Sequence, residues 1–272
     1  QTCALPIYPC FREAINTFLL ADAEVVPHPV DEEGIVLNER PCDYYYVTPG
    51  HQVPTGVTMS SARRRQLLEH AARHDAVIIE DDYDSESNFT LNPLPALKAS
   101  DRSGRVVYVS SLSKALSPGL RLGFMVADPD LIDEARALRR LVYRHPPTNI
   151  QYQMAHFLAQ GHYETHLRRY HYDSAQRWER LHAALQRYLP SCRALAGSEH
   201  ANAFWLQTPA QINTQQLTWR AAHAGVLIEP GARHFLNAAP PDNYFRMGFH
   251  AINPDAIAQG VEVLRGQLEQ MG

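Results

Sequence analysis

The sequence has 272 residues, 45% of them apolar and 20% charged, with only 14 glycines, the profile of an ordinary globular chain with a large core. Its formal net charge of -4 sets up no basic field, so direct nucleic-acid contact by this segment is not expected. No run approaches the roughly 18 consecutive apolar residues of a membrane span, so no membrane partner is expected either.

Four cysteines (Cys3, Cys10, Cys42, Cys192) stand without paired spacing. They read as reduced thiols rather than a disulfide frame or zinc site, which suits a cytoplasmic location. The opening Gln1-Thr2-Cys3-Ala4-Leu5-Pro6-Ile7 shows no role in a fold. Residues 1–8 are therefore expected to be a foreign or fragmentary start, with the natural protein beginning upstream.

Five short β-branched or aromatic runs follow: Ala23–Val26, Tyr44–Val47, Ala76–Ile79, Val106–Val109 and Gly123–Val126. They alternate with helical patterns, which predicts an α/β fold: a mostly parallel sheet with helices on both faces. Ser60 or Ser61 caps a helix that turns Leu67 and Leu68 inward and stops before His74-Asp75. From Asp128 the pattern is helical, over Asp130–Tyr143, Asn149–Gln160 and Tyr163–Tyr188. The last of these spaces Leu167, Tyr170, Ala175, Trp178, Leu181 and Leu185 as a buried stripe. Beyond Pro190, strands are predicted at Ala203–Gln207, Gly225–Ile228 and Tyr244–Phe249, with helices over Thr214–Ala224 and Asn253–Met271. This predicts a smaller C-terminal α+β domain over 191–272, joined by a connecting helix over 161–190 to a large domain over 9–160.

Three segments carry chemistry. Ser111-Leu112-Ser113-Lys114, running on to Gly119-Leu120-Arg121-Leu122-Gly123, follows a strand directly. A lysine at that junction is well placed to meet a carbonyl, although a surface lysine in a Ser-rich loop is the plainer alternative. Glu80-Asp81-Asp82-Tyr83-Asp84 follows the run Ala76–Ile79, and the carboxyl ends of parallel strands are where open α/β sheets bind ligands. One buried carboxylate there is suited to hold a pyridinium nitrogen protonated, and Tyr83 can donate to a phenolate; a solvated turn or divalent-cation site is the alternative. Thr48-Pro49-Gly50-His51-Gln52-Val53-Pro54-Thr55-Gly56 makes a rigid turn at the same sheet edge. His162 and His166 are spaced i, i+4 without a third ligand nearby, so no metal is expected.

Together these segments resemble the class I and II aminotransferases of the aspartate-aminotransferase kind (fold type I). Within them they resemble the MocR-type (GntR-family) regulators, in which a winged-helix DNA-binding domain is fused to an aminotransferase-like domain. The resemblance runs from about Tyr8 to the C-terminus. It implies pyridoxal 5'-phosphate as cofactor, with Lys114 forming the Schiff base, Asp81 pairing with the pyridine nitrogen and Tyr83 bonding the 3'-oxygen. Ser111 and Arg121 hold the phosphate, Tyr8 stacks on the ring, and Arg246 clamps a substrate carboxylate. It further implies a homodimer, an amino acid or amine as small-molecule partner, and DNA contact only through a domain outside this segment. A free-standing aminotransferase is the alternative. Two departures stand out. Val53 replaces the usual Asn, leaving an amide contact that is absent or supplied by Gln52 or His51. The family's glycine-rich phosphate loop falls upstream of the Tyr8 region.

Overall fold

The computed structural model describes residues 2–38, 40, 42–89, 93–195 and 202–272. The first sheet takes its strands from the N-terminal half: β1 (Cys3–Tyr8), β2 (Glu24–Val25), β3 (His28–Asp31), β4 (Gly34–Ile35), β5 (Tyr44–Val47), β6 (Val77–Asp82), β7 (Val106–Ser111) and β8 (Gly123–Val126). Their order is β4-β3-β1-β5-β6-β7-β8, with β2 also on β1. The ladders from β1 through β7 are parallel; β8 runs antiparallel to β7, and β4 to β3.

The helices are α1 (Arg12–Leu20), α2 (Ser61–Arg73), the short α3 (Leu97–Ser100), α4 (Pro129–Val142), α5 (Thr148–Ala159), α6 (His162–Tyr188), α7 (Thr214–His223) and α8 (Ile257–Glu269). The Ser60 side chain accepts from the Arg63 amide at the start of α2, the cap the sequence calls for. Leu67 and Ala71 of that helix pack with Leu5, Tyr45, Val47, Ile78 and Val106 in the first core.

A second sheet, ordered β11-β12-β10-β9, is antiparallel throughout: β9 (Arg193–Ala194), β10 (Ala203–Gln207), β11 (Glu229–Pro230) and β12 (Tyr244–Gly248). Its core joins Leu181, Ala184 and Leu185 of α6 to Phe204, Phe245, Leu217 of α7 and Val261 and Leu264 of α8. α6 thus enters the second core with its C-terminal turns. No helix among the described residues is long and apolar enough to cross a membrane.

Three expectations are corrected. Cys3–Tyr8 do have a place in the fold, since β1 lies inside the sheet between β5 and the β2 and β3 strands, with Ala4 and Leu5 fully buried. Pro6 hides this strand, because proline lacks the N–H of a ladder. It is tolerated because it falls where β2, paired at Cys3 and Ala4, has ended and β3, paired at Ile7 and Tyr8, has not begun. Second, Cys3 and Cys42 form a disulfide with Cα atoms 5.0 Å apart; only Cys10 and Cys192 are free thiols. Thirty-nine residues separate the pair in sequence, but the β1–β5 ladder makes them neighbours, and the thiol argument for a reducing compartment loses that pair. Burial pushes the Cys10 thiol up to about 12 and the Cys192 thiol to about 11, which leaves both unreactive. Third, the strand expected at Gly225–Ile228 forms at Glu229–Pro230 instead. Gly225 sits at φ +84°, closing the turn after α7.

Leu264→Ala, at a position with 0% exposure in the second core, is expected to cost about 2–5 kcal/mol in urea unfolding. Leu227→Ala, at a position 85% exposed, should stay within about 0.5 kcal/mol.

Candidate functional site

The parallel run β5–β6–β7 brings three loops to one edge, and strand periodicity sorts the acidic run between the two faces of the sheet. Glu80, 1% exposed, accepts the Leu97 and Lys98 amides at 2.7 and 2.9 Å and so caps α3. Asp82 accepts from the Tyr108 hydroxyl at 2.7 Å. Asp81 projects to the opposite face and lines a cleft of about 170 Å³ with Phe11, Tyr46, Thr48, Val53, Tyr83, Lys114, Glu229, His234 and Arg246. The acidic run is therefore divided between the two faces of the sheet rather than left as a solvated turn. Among the described residues no group of three or more His, Cys, Asp or Glu is placed to hold a metal ion.

Burial raises the Asp81 carboxyl, and the Tyr46 hydroxyl, hydrogen-bonded to it from the adjacent strand, opposes that rise. The Tyr46 phenol itself is pushed well above its ordinary value, chiefly by burial. Tyr83 is raised likewise; its hydroxyl donates to the His51 carbonyl at 3.2 Å and accepts from Asn202 Nδ2 at 2.8 Å.

Lys114 Nζ lies 5.5 Å from the centre of the Tyr83 ring. Its loop is closed by the antiparallel β7–β8 pair, with Ser111 opposite Gly123 and the Leu112 amide bonded to the Leu122 carbonyl at 3.0 Å. Gly123 is required there, since a Cβ would stand 2.6 Å from the Ser110 carbonyl oxygen. From α6, His166 Nε2 donates to the Ala115 carbonyl at 2.6 Å. That is a structural role for half of the His162/His166 pair. Arg121 holds a left-handed conformation at φ 50°, which costs a non-glycine residue on the order of 1 kcal/mol. The structure thus sets Ser111 and Arg121 at the two ends of the Lys114 loop, beside rather than in the cleft wall.

Tyr8 departs from its expected place. Its hydroxyl bonds Asn237 Oδ1 at 2.5 Å and the Leu236 amide at 3.1 Å, and its ring meets Phe235 edge-on. Tyr8 is spent joining the N-terminal part to the second sheet's loops, and Phe11 is the nearby aromatic that reaches the cleft. Neither proposed substitute for the missing amide is free. Gln52 bonds the Pro9 and Val53 carbonyls and Thr55, while His51 Nδ1 donates to Asp84 at 2.9 Å in a pair 3% and 2% exposed.

Arg246 reaches the cleft from β12, where its Nη1 meets Glu229 Oε2 of β11 at 3.3 Å. Glu229 also faces His234 Nε2 at 3.4 Å and Arg233 at 3.3 Å. His234 first, then the surrounding arginines, hold its carboxyl down at about 2 against the opposing effect of burial. Sequence reading missed Tyr46, Phe11, Glu229 and Asn202. Only Tyr46, a polar-tipped residue two positions before the rigid turn, carried a local signal.

A carboxyl held below its ordinary value adds stability that is present above about pH 4.5 and is lost as pH falls toward 2. Glu229→Gln should therefore unfold more easily than the unaltered chain at pH 7. The gap in urea midpoints should close between about pH 4.5 and 2; a gap independent of pH would refute the assignment.

Residues 47–264 match the model of the aminotransferase class I and II family. The chain is 38% identical over 260 residues to the HTH-type transcriptional regulator TauR of Rhodobacter capsulatus, covering 94% of this chain and 52% of that one. It is 34% identical over 261 residues to the probable rhizopine catabolism regulatory protein MocR of Rhizobium meliloti, at the same coverages. The chain thus spans about half the length of these relatives. Its fold superposes with a TM-score of 0.90 and 25% identity on a kynurenine aminotransferase of Pyrococcus horikoshii solved in complex with PMP, covering 99% of this chain and 69% of that one. With the family model matched over residues 47–264, well over half of the sequence, the chain belongs to the class I and II aminotransferase family.

Proposed function

We propose that this chain is the pyridoxal-phosphate-binding part of a MocR-type transcription regulator, which senses an amino acid or amine. The observation that carries the reading is the convergence of Lys114, Asp81, Tyr83 and Arg246 on one cleft. The chemistry of this donor set fits the cofactor: an amine for the aldehyde, a buried carboxylate for the ring nitrogen, a phenol for the ring oxygen. Ser111 and Arg121, at the ends of the same loop, suit the phosphate dianion. When bound, pyridoxal phosphate supplies an electron-withdrawing ring that makes the α-hydrogen of an attached amino compound acidic.

The chain's own residues do the rest. Lys114, reaching the cleft from a loop fixed at Ser111 and Ala115, would be the group to take up that hydrogen as a proton. Asp81 stays a useful counter-charge because Tyr46 donates to it despite its burial. Arg246 offers a guanidinium to a carboxylate, and Glu229 keeps that guanidinium paired when no ligand is present. A homodimer, a cytoplasmic location and DNA contact through a separate winged-helix domain belong to the same reading. The kinship to TauR and MocR supports it. A free-standing aminotransferase is the second reading, favoured by the likeness to a solved aminotransferase. Release of a 2-oxo acid over many turnovers separates an enzyme from a sensor.

Purified chain mixed with pyridoxal phosphate should develop a visible absorbance band that Lys114→Ala abolishes; a band of equal strength in both would sink the assignment. Removing the Tyr46 donor lets the Asp81 carboxyl rise further. Tyr46→Phe should therefore weaken cofactor binding by about 3- to 10-fold, with a larger loss at pH 6 than at pH 8. Absorbance titrations at the two pH values measure this.

A further inference from the structure

The cleft is built from two lobes, and one side chain ties its halves together. Asn202 stands just before β10, three residues ahead of Trp205, which pairs with Arg246 across the β10–β12 ladder. Its Nδ2 donates to the Tyr83 hydroxyl at 2.8 Å and to the Asp84 carboxylate, both on the segment that leaves β6. Its Oδ1 accepts from Arg246 Nη2 at 3.5 Å. The chemistry of the partners fixes the orientation of the amide: a carboxylate only accepts and a guanidinium only donates, so nitrogen faces Asp84 and oxygen faces Arg246.

The strengths of these contacts are unequal. Both bonds of Arg246, 3.3 Å to Glu229 and 3.5 Å to Asn202, lie at the outer limit of hydrogen bonding. A ligand carboxylate on a guanidinium settles at roughly 2.7–2.9 Å and is about twice as strong. Seating one on Arg246 therefore draws on the weakest link of the chain. The links to Tyr83 and Asp84 are short, and Asp84 is itself anchored by buried His51. Movement or polarisation at Arg246 thus reaches the Tyr83 phenol through the amide. An N–H donated to a phenol oxygen makes that phenol a stronger donor in turn. Across the cleft stands Val53, a hydrocarbon that can relay nothing.

We propose that Asn202 is a positioning residue that couples carboxylate capture at Arg246 to the hydrogen-bonding strength of the Tyr83 hydroxyl, so that ligand arrival is felt at the cofactor. This rests on the functional reading above. Its structural alternative is an anchor for the start of β10, which would affect folding and leave the cofactor's spectrum alone.

The test uses the chain loaded with pyridoxal phosphate and the probe succinate, a carboxylate with no amine to react. The pH midpoint of the Lys114-dependent band is recorded with and without saturating succinate. In the unaltered chain succinate should move that midpoint by about half a pH unit or more, the size of one relayed hydrogen bond. Arg246→Ala should remove the response by removing binding. Asn202→Ala, and Asn202→Leu, which keeps the volume and lacks the donor, should still bind succinate within about 10-fold yet lose most of the midpoint shift.

A full midpoint shift in the Asn202 variants, or no succinate response in the unaltered chain, overturns the proposal while leaving the functional reading intact. Failure of both Asn202 variants to fold assigns the residue to architecture and overturns it too. Absence of any Lys114-dependent band removes the functional reading and this proposal with it.

Discussion

The parallel pairing of β5, β6 and β7 is the constraint on which the rest of this site depends. It sends the rigid turn after Val47, the acidic segment and the lysine loop out of the same edge. Alternation along β6 then decides which carboxylate faces the cleft. Glu80 and Asp82 are taken up by the packing side, where they meet α3 and Tyr108. Asp81 is left on the other face beside Tyr46. A slip of one residue in that ladder would exchange these roles and put two carboxylates into the cleft in place of one.

The second organising feature is α6. Over its N-terminal half it touches both chemically important loops: His166 holds the Ala115 carbonyl next to Lys114, while His171 bonds the Glu86 carbonyl at 2.7 Å and Tyr163 bonds the Glu86 carboxylate. Tyr170 and Ser174 then contact His250, at the end of the second sheet. The same helix buries Leu181 and Leu185 in the second core. One rigid element therefore registers the lysine loop, the acidic turn and the lobe that carries Arg246. That explains its length and its histidine-rich, tyrosine-rich face better than a metal or nucleic-acid role does.

Electrostatics complete the picture. The cleft gathers Lys114, Asp81, Arg246 and Glu229, and Arg246 is paired with Glu229 at 3.3 Å. Glu229 is kept ionised by His234 and two arginines, whereas Asp81 is pushed the other way by burial. Two carboxylates of one cleft are thereby given opposite tendencies, one a fixed counter-ion and the other tuned by a neighbouring phenol.

Local sequence by itself determined the elements with strong periodicity or caps. Tyr44–Val47, Gly123–Val126 and Ala203–Gln207 are strands with the expected bounds, and Ser60 caps its helix. The lysine loop and the Asp81-Tyr83 pair were equally legible, because a motif of consecutive residues carries its own spacing. Tertiary structure alone decided what depends on distant neighbours. β1 owes its place to a gap between β2 and β3 that shelters Pro6, and the Cys3–Cys42 bond exists because two strands lie side by side. Tyr8 was drawn to Asn237, Glu229 was set against Arg246, and Asn202 was hung between two lobes. The physical reason is common to all five: partners 17 to 229 residues apart leave no mark on local pattern, and only closure of the fold brings them together.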